Sequence, residues 1–312
     1  MSQVNNQGGT WAEVSTDANG LNDQLYLTSL AQALKLGLGE SPIYASAGIP
    51  AQQTIVTQVF PDGTKRPVAK TGRPNGLALG RDGAVWVAES LDPGLLRLDL
   101  PSGEFTRELS EVEGRALRWP NDLCFGPDGA LYATDSGILV GDFLLDGRPR
   151  EGCENLPVDG LVLRLDPRSG ESWLLDEGLR FANGIAFGPD GLLYANETMT
   201  GNVYRYTIGA GHVVGERELF GNVLDPDFTG AGMRGPDGMA FSTDGRLWVT
   251  VFGQGDITVL DHSGAVIERL KLRGRSPTNC AFGPAGTLYV VEDEHGCLET
   301  VDVGVDGLAL HD

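Results

Sequence analysis

The sequence is short of basic residues and has no apolar run long enough to span a membrane. Its 312 residues include 23 Lys and Arg against 43 Asp and Glu, a formal net charge of −20. Such a surface repels nucleic acid and anionic membranes and favours cations. Because the N-terminus has neither a basic start nor an apolar segment, we expect a cytoplasmic protein. Its expected partner is a small-molecule substrate, and the sequence does not indicate an oligomeric state.

Cysteine and histidine are equally scarce. The four cysteines show no Cys-x-x-Cys spacing, so we expect free thiols. The four histidines are scattered, and His295 is the one retained as a marginal candidate. There is no Gly-x-Ser-x-Gly elbow and no nucleotide-binding glycine fingerprint. These absences disfavour a zinc site, a serine nucleophile and a nucleotide cofactor.

An eight-residue motif recurs five times along the chain. Its third position always carries a side-chain oxygen, and successive third positions are 46, 62, 54 and 41 residues apart. The copies are Arg73-Pro-Asn-Gly-Leu-Ala-Leu-Gly, Trp119-Pro-Asn-Asp-Leu-Cys-Phe-Gly, Phe181-Ala-Asn-Gly-Ile-Ala-Phe-Gly, Gly235-Pro-Asp-Gly-Met-Ala-Phe-Ser and Ser276-Pro-Thr-Asn-Cys-Ala-Phe-Gly. The spacings are close to the roughly 40–50 residues of propeller blades, with insertions in two of them.

Each motif is followed by a turn and an alternating apolar run. Four of the five turns are Asp-Gly, a pair that makes tight hairpin bends between strands. A third and a fourth strand follow in most units. The pattern predicts an all-β, six-bladed β-propeller with four antiparallel strands per blade.

The predicted first blade lies before Arg73. Gly39-Glu-Ser-Pro-Ile-Tyr is its candidate motif, with Glu40 in place of Asn or Asp. We assign residues 39–312 to the propeller and residues 1–38 to an N-terminal extension, where Leu27, Leu30 and Leu34 have helical spacing. Strands at 298–303 and 308–310 are expected to close the ring beside the N-terminal blade.

The repeated oxygens allow two interpretations. Asn and Asp are ordinary turn residues and could simply bend the chain before each strand. Alternatively, radial repetition gathers Asn75, Asn121, Asn183, Asp237 and Thr278 around one axis, where a hard cation and a polar substrate would bind.

Four of these segments resemble, in order and spacing, the signature positions of the regucalcin and gluconolactonase family: Gly39-Glu-Ser-Pro, Trp119-Pro-Asn-Asp, Phe181-Ala-Asn-Gly and Gly235-Pro-Asp-Gly-Met. The resemblance covers roughly residues 38–300. It implies a six-bladed propeller that opens sugar lactones or related cyclic esters with one divalent cation. It further implies Glu40, Asn183 and Asp237 as metal ligands and Asn121 as a substrate contact.

Two features depart from the family pattern. Members commonly have an arginine two residues before the equivalent of Asn121, whereas this chain has Trp119, with Arg118 one residue earlier. Trp119 and Arg118 are therefore our candidate substrate contacts beside Asn121. The segment after Glu40 also lacks the usual Trp and the strand ending in Asp, which weakens the case for Glu40 as a ligand.

The resulting hypothesis is a metal-dependent lactonase in which Asp237 and Asn121 are catalytic. Calcium is the expected cation, with zinc, manganese or magnesium as alternatives. Asp237 would position the attacking water and accept its proton. The alternatives are another reaction on the same scaffold, such as an isomerase, lyase or condensing enzyme, or a non-catalytic propeller that binds a metal or a protein.

Overall fold

Antiparallel sheets follow one another along the chain. A computed structural model describes residues 3–4, 10–12, 24–27, 43–49, 52–59, 65–145 and 148–311. Strands β1 to β10 are Gln3–Val4, Thr10–Ala12, Gln24–Leu27, Ile43–Ile49, Gln52–Val59, Lys65–Gly72, Pro74–Leu79, Val85–Glu89, Gly94–Leu98 and Phe105–Leu109. Strands β11 to β20 are Glu111–Val112, Arg115–Ala116, Pro120–Phe125, Leu131–Asp135, Leu144–Leu145, Arg148–Pro149, Gly160–Leu165, Ser172–Leu179, Ala182–Phe187 and Leu193–Glu197.

The remaining strands complete the same pattern. Strands β21 to β31 are Asn202–Tyr206, Ile208–Gly209, His212–Val213, Glu218–Asn222, Gly235–Phe241, Leu247–Phe252, Asp256–Leu260, Val266–Lys271, Pro277–Phe282, Thr287–Glu292 and Cys297–Asp302. Helix α1 is the single turn Val140–Phe143, and 3₁₀ turns occur at Cys153–Asn155 and Pro284–Gly286. No helix among the described residues is long and apolar enough to cross a membrane.

The all-β propeller prediction is confirmed. Five sheets have four antiparallel strands each: β3–β6, β7–β10, β13-β14-β17-β18, β19-β20-β21-β24 and β25–β28. The last sheet instead has five strands in the order β1-β2-β31-β30-β29, because two N-terminal strands add to its edge. The structure thus shows five four-stranded blades, and the prediction of six such blades is not confirmed.

Each motif copy forms the first strand of its sheet, and these strands lie at the centre of the propeller. Strand β7 packs on β13, β13 on β19, β19 on β25 and β25 on β29. Strand β3 contacts both β29 and β7. The five motif copies therefore face one another around a common channel, and apolar clusters fill the spaces between neighbouring sheets.

The described parts of residues 1–38 differ from the predicted helical extension. They are strands: β2 pairs with β31 through Trp11 opposite Glu299, and β3 pairs with β4. Leu27 ends β3, whereas Leu30 and Leu34 lie outside the described residues.

Ring closure is confirmed for the strand predicted at 298–303, which is observed as β31 at Cys297–Asp302, and is wrong for 308–310. The C-terminal segment forms no strand there. The Leu308 amide instead donates to the Phe241 carbonyl at 2.8 Å, and the His311 ring meets the edge of Phe187 at 5.8 Å. The tail thus crosses one end of the channel, where apolar side chains of the central strands hold it.

The Asp-Gly turns behave as their sequence predicts. Gly83 and Gly129 have φ of 82° and 75°, values that side chains rarely allow. Asp82 accepts the Ala84 amide at 3.1 Å, and Asp128 accepts the Ala130 amide at 3.1 Å. Each aspartate thereby fixes the bend that starts the second strand of its blade.

Candidate active site

A break in strand pairing marks the third position of every motif copy. The register between the first and second strands shifts between Pro74 and Leu77, and it does so at the corresponding place in β13, β19, β25 and β29. An irregularity of this kind turns side chains away from the regular alternation of a strand. The third-position oxygens are therefore aimed by the bulge, a feature that the motif sequence alone does not reveal.

Hydroxyl side chains directly after the second strands hold two of the predicted asparagines. Asn121 Nδ2 donates to Ser136 Oγ at 2.8 Å, and Asn183 Nδ2 donates to Thr198 Oγ1 at 3.1 Å. Ser136 and Thr198 each follow their asparagine by fifteen residues. Since the amide nitrogen is committed to the hydroxyl, the carbonyl oxygen is the atom left for a metal or a substrate.

The same hydroxyls join neighbouring blades. Ser136 Oγ donates to the Ala182 carbonyl at 3.0 Å, and Thr198 Oγ1 donates to the Pro236 carbonyl at 2.8 Å. Three successive third positions, at Asn121, Asn183 and Asp237, are thereby tied to one another through two bridges. The structure brings these three predicted residues to one side of the channel.

Asp237 is the predicted ligand whose environment is most unusual. It is half-buried, in contrast to Asn183, which is 4% exposed. Burial and the negative charges of Asp122 and Asp293 raise the pKa of the Asp237 carboxyl well above its usual range. A hydrogen bond from Asn183 and the positive charge of Arg73 act in the opposite direction. Asp237 therefore lies among other acids, beside one predicted co-ligand.

Asp122 is a site residue that the sequence analysis missed. It occupies the fourth motif position, where three other copies have glycine. Its carboxylate accepts the Leu123 amide at 2.9 Å and the Ile185 amide at 3.4 Å, and burial raises its pKa to about 7. The available signal was this single replacement of glycine by an acid.

In four blades an acid at the end of the second strand has a structural role. Glu89, Asp135, Glu197 and Glu292 end the second strands of their blades. Each accepts a backbone amide from the start of its motif: Arg73 N at 2.6 Å, Trp119 N at 2.9 Å, Arg180 N at 2.5 Å and Ser276 N at 3.0 Å. These contacts fix the backbone at the start of each motif, so each of the four acids already serves as a hydrogen-bond acceptor there.

The marginal histidine belongs to one of these anchors. His295 Nδ1 lies 2.8 Å from Glu292 Oε2, and Glu294 joins them in a group whose ligand atoms lie within 4.8 Å of one another. Because Glu292 already accepts the amides of Ser276, Glu294 and His295, the group is explained by its role in the loop.

The two predicted substrate contacts near Asn121 point in different directions. Trp119 is 5% exposed and packs edge-on against Phe143 and Phe181, at 5.8 and 5.2 Å between ring centroids. Arg118 is exposed, and its Nη1 donates to the Gly137 carbonyl at 3.3 Å. Substrate binding by either residue stays a prediction. Glu40 lies outside the described residues, as does the rest of its motif.

A cavity occupies the channel beyond the bulge. Asp122 and Asn279 line it together with apolar motif residues and the tail at 308–311, and its volume is about 90 Å³. Ligand pockets usually measure roughly 300 Å³ or more. This cavity is therefore smaller than a usual ligand pocket.

The donor set at the channel fits a hard divalent cation. Asp237 and Asn183 supply a carboxylate and an amide oxygen, and Asp122 and Asp293 act electrostatically on Asp237. Calcium prefers such all-oxygen surroundings. A cation would also offset the repulsion among the carboxylates of Asp237, Asp122 and Asp293. Among the described residues, the positive charge of Arg73 opposes the negative potential at Asp237.

Comparison with known proteins agrees with this geometry. Residues 38–292 match the family model described as the SMP-30/gluconolactonase/LRE-like region. The chain belongs to this family. The match covers the motif copies and the candidate site, so the resemblance predicted from four segments is confirmed at the level of the family.

Individual relatives are distant. The gluconolactonase of Zymomonas mobilis subsp. mobilis is 27% identical over 226 residues, which are 71% of this chain and 61% of that protein. Protein strictosidine synthase-like 3 of Arabidopsis thaliana is 29% identical over 186 residues, 58% of this chain and 43% of that protein. The chain thus spans about half the length of these curated relatives, and their names show that related sequences carry more than one function.

A solved structure of similar fold is described as the calcium-binding protein regucalcin of Agrobacterium tumefaciens strain C58. It superposes with a TM-score of 0.69 at 22% identity, covering 93% of this chain and 92% of that one. At this identity the likeness shows the family's propeller fold.

Proposed function

We propose that the protein is a metal-dependent hydrolase that opens a lactone or a related cyclic ester. Membership of the SMP-30/gluconolactonase/LRE-like family and the similarity to a gluconolactonase support this class of reaction. The similarity to calcium-binding regucalcin supports a divalent cation. A sugar lactone is the substrate class that the gluconolactonase relative suggests.

One observation carries the proposal. Asp237 is a partly accessible carboxylate that accepts a hydrogen bond from Asn183 and lies within electrostatic reach of two further acids. Perturbed acids of this kind concentrate at functional sites. Turn-forming residues without a further role would have no reason to collect negative charge at the centre of the protein.

Asp237 and Asn183 are the proposed ligands within the described residues, and Glu40 is the proposed third ligand from the first blade. A bound divalent cation would polarise the lactone carbonyl and stabilise the oxyanion that forms on attack. Thr198 holds Asn183 in the orientation that presents its carbonyl oxygen.

The proton transfers are assigned to Asp237. Its carboxylate orients a water molecule and takes one proton as the water oxygen bonds to the lactone carbonyl carbon. Collapse of the tetrahedral intermediate breaks the ring C–O bond, and Asp237 returns the proton to the departing ring oxygen. The product is the open-chain hydroxy acid. Asn121, held by Ser136, positions the substrate through its carbonyl oxygen.

This oxygen-rich centre favours hydrolysis over the alternative chemistries considered from the sequence. The aromatic group around Trp119 is packed into the loops: Trp119 and Phe143 are 5% and 1% exposed. These buried rings therefore hold the surrounding loops in place and present little apolar surface to a substrate.

The test is hydrolysis of D-glucono-1,5-lactone by protein stripped of metal with a chelator and reloaded with calcium. We expect reloading to restore turnover and Asp237→Asn to reduce kcat by about a thousandfold, in the range of losing an essential group. Asp244→Asn is the matched control, because Asp244 lies in the same blade and pairs with Arg246 at a surface turn. Full activity of Asp237→Asn, or full activity without any metal, would contradict the proposal.

A further inference from the structure

One position of the five second strands carries buried hydrogen-bond donors that the site described above does not include. Strand pairing makes five residues equivalent there: Ala88, Thr134, Asn196, Thr250 and Val291. The three polar members, Thr134, Asn196 and Thr250, are each 0% exposed. Each of these buried donors needs an acceptor inside the protein, and the acceptors show what the position does.

Two of these donors cross to the third motif position of the next blade. Thr134 Oγ1 donates to the Asn183 carbonyl at 2.5 Å, and Asn196 Nδ2 donates to the Asp237 carbonyl at 2.6 Å. Thr250 Oγ1 instead donates within its own blade, to the Gly238 carbonyl at 2.9 Å. The crossing contacts thus reach the backbone of the two described residues that we propose as metal ligands.

The backbone around Asp237 is held at three successive carbonyls. The regular pairing of its strand is interrupted here, between Pro236 and Met239. Side chains supply the missing hydrogen bonds: Thr198 Oγ1 donates to Pro236 O at 2.8 Å, Asn196 Nδ2 to Asp237 O at 2.6 Å, and Thr250 Oγ1 to Gly238 O at 2.9 Å. The contact from Asn196 is the one made to the peptide of Asp237 itself.

A glycine makes room for this contact. A Cβ on Gly184 would lie 2.3 Å from the Asp237 carbonyl oxygen and 2.7 Å from Asn196 Nδ2, distances at which the backbone or the amide would have to move. The donor and the acceptor therefore meet directly over Gly184 Cα, in a space that leaves little freedom to either group.

The carboxamide of Asn196 bonds through its nitrogen alone. Its Nδ2 donates to the Asp237 carbonyl and lies 3.7 Å from Met239 Sδ, whereas its Oδ1 is buried without a partner among the described residues. A buried acceptor in this state costs about 1–3 kcal/mol. Threonine, which occupies both equivalent polar positions, has no amide oxygen to bury. Departures of this kind are expected at functional sites.

We propose that Asn196 is a positioning residue of the metal site, which fixes the peptide of Asp237 from the preceding blade. This inference rests on the proposed function and adds a residue that touches neither the metal nor the substrate. The direction of a side chain follows from its backbone, so loss of the contact would let the Asp237 carboxylate turn away. Calcium affinity and kcat would then fall, while KM for the lactone, which depends on other groups, would change little.

The experiment compares Asn196→Val with Asn196→Thr, two side chains of the same shape that differ by one hydroxyl. That hydroxyl replaces the lost donor, as Thr134 makes the equivalent contact in its own blade. We expect Asn196→Val to lower calcium affinity by about ten- to a hundredfold in calorimetric titration, and to lower kcat on D-glucono-1,5-lactone at saturating calcium. Asn196→Thr should recover most of both.

Thr258→Val is the matched control for stability. Thr258 is fully buried in the blade of Asp237, and its hydroxyl donates to Asp256 Oδ1 at 3.1 Å. We expect this variant to lower the free energy of unfolding in urea and to keep the calcium affinity of the wild type. Should Asn196→Val not fold, Asn196→Leu, which is close to asparagine in shape, takes its place.

Three results would overturn the inference: wild-type calcium affinity and kcat in Asn196→Val, losses in Asn196→Thr as large as in Asn196→Val, or an equal loss of calcium affinity in Thr258→Val. Each of these would leave Asn196 with a structural role alone. A wild-type protein that neither binds calcium nor hydrolyses the lactone contradicts the proposed function and this inference together. Where the wild type shows only one of the two activities, that activity decides the role of Asn196.

Discussion

The side-chain amide of Asn183 donates a hydrogen bond to Thr198 Oγ1 at 3.1 Å, and Thr198 Oγ1 in turn donates one to the carbonyl of Pro236, the residue before Asp237. One hydroxyl thus fixes both the amide of one proposed ligand and the backbone beside the other. Such supporting contacts orient the groups that bind a metal and set their affinity. Ser136 makes the matching contacts one blade earlier, between Asn121 and the Ala182 carbonyl.

The first prediction separates metal binding from substrate binding with these two hydroxyls. Thr198→Val keeps the side-chain shape and removes the contact to Asn183, so we expect calcium affinity to fall by about ten- to a hundredfold. Ser136→Ala removes the equivalent contact to Asn121, so we expect a higher KM with calcium affinity nearly unchanged. Calorimetric titration with calcium and steady-state kinetics measure the two effects. Equal losses of calcium affinity in both variants would contradict the assigned roles.

The second prediction concerns the pH dependence of stability in metal-free protein. The pKa of Asp122 is about 7 in the folded protein and about 3.9 when unfolded. Between these values the folded state retains a proton that the unfolded state has lost, so stability falls as pH rises from about 4 to 7. Asp122→Asn removes this contribution. We expect the variant to gain, relative to wild type, on the order of 2–4 kcal/mol between pH 4.5 and 8 in urea unfolding with chelator present.

A control for this pH effect has the opposite sign. The surface partner Arg97 holds the pKa of Asp82 below its usual range despite partial burial, so the stability that this carboxylate contributes is present above the unfolded pKa and is lost on acidification. Asp82→Asn should therefore cost a little stability at neutral pH. A difference between wild type and Asp122→Asn that does not vary with pH would show that Asp122 is not protonated in this range.

The third prediction tests the close approach of the central strands. A Cβ on Gly76 would lie 2.6 Å from the Asp122 Cα and 2.8 Å from the Asn121 carbonyl oxygen, both backbone atoms that cannot move aside easily. We expect Gly76→Ala to lower the free energy of unfolding by about 1–3 kcal/mol. Gly141→Ala is the control, because its Cβ would meet nothing within 4 Å. Similar stabilities for the two variants in urea unfolding would mean that the central strands can separate.

Much of the architecture could be predicted from the repeat. Motif spacing and Asp-Gly turns predicted the propeller, and the strand predicted after Arg81-Asp-Gly at 84–88 is observed as Val85–Glu89. Local signals suffice for such elements because turn chemistry and alternation are encoded within a few residues. Strand β2 escaped prediction because its pairing partner β31 lies almost three hundred residues away.

The candidate site was predicted less completely. Asn121, Asn183 and Asp237 come to one side of the channel, and Asp122 was overlooked because the bulge that interrupts the strand at this point is not visible in the motif sequence. The contact of the Arg73 guanidinium with the Trp119 ring, at 4.9 Å from the ring centroid, also joins two blades and was not predicted. Contacts between blades are nonlocal, and a single sequence does not encode them in its spacing.

Calcium titration of the metal-free protein tests the central claim most directly. The account predicts one calcium ion per wild-type chain, no measurable binding to Asp237→Asn at the same concentrations, and unchanged binding to Asp244→Asn. Retention of wild-type affinity by Asp237→Asn, or a wild-type protein that takes up no divalent cation, would contradict it.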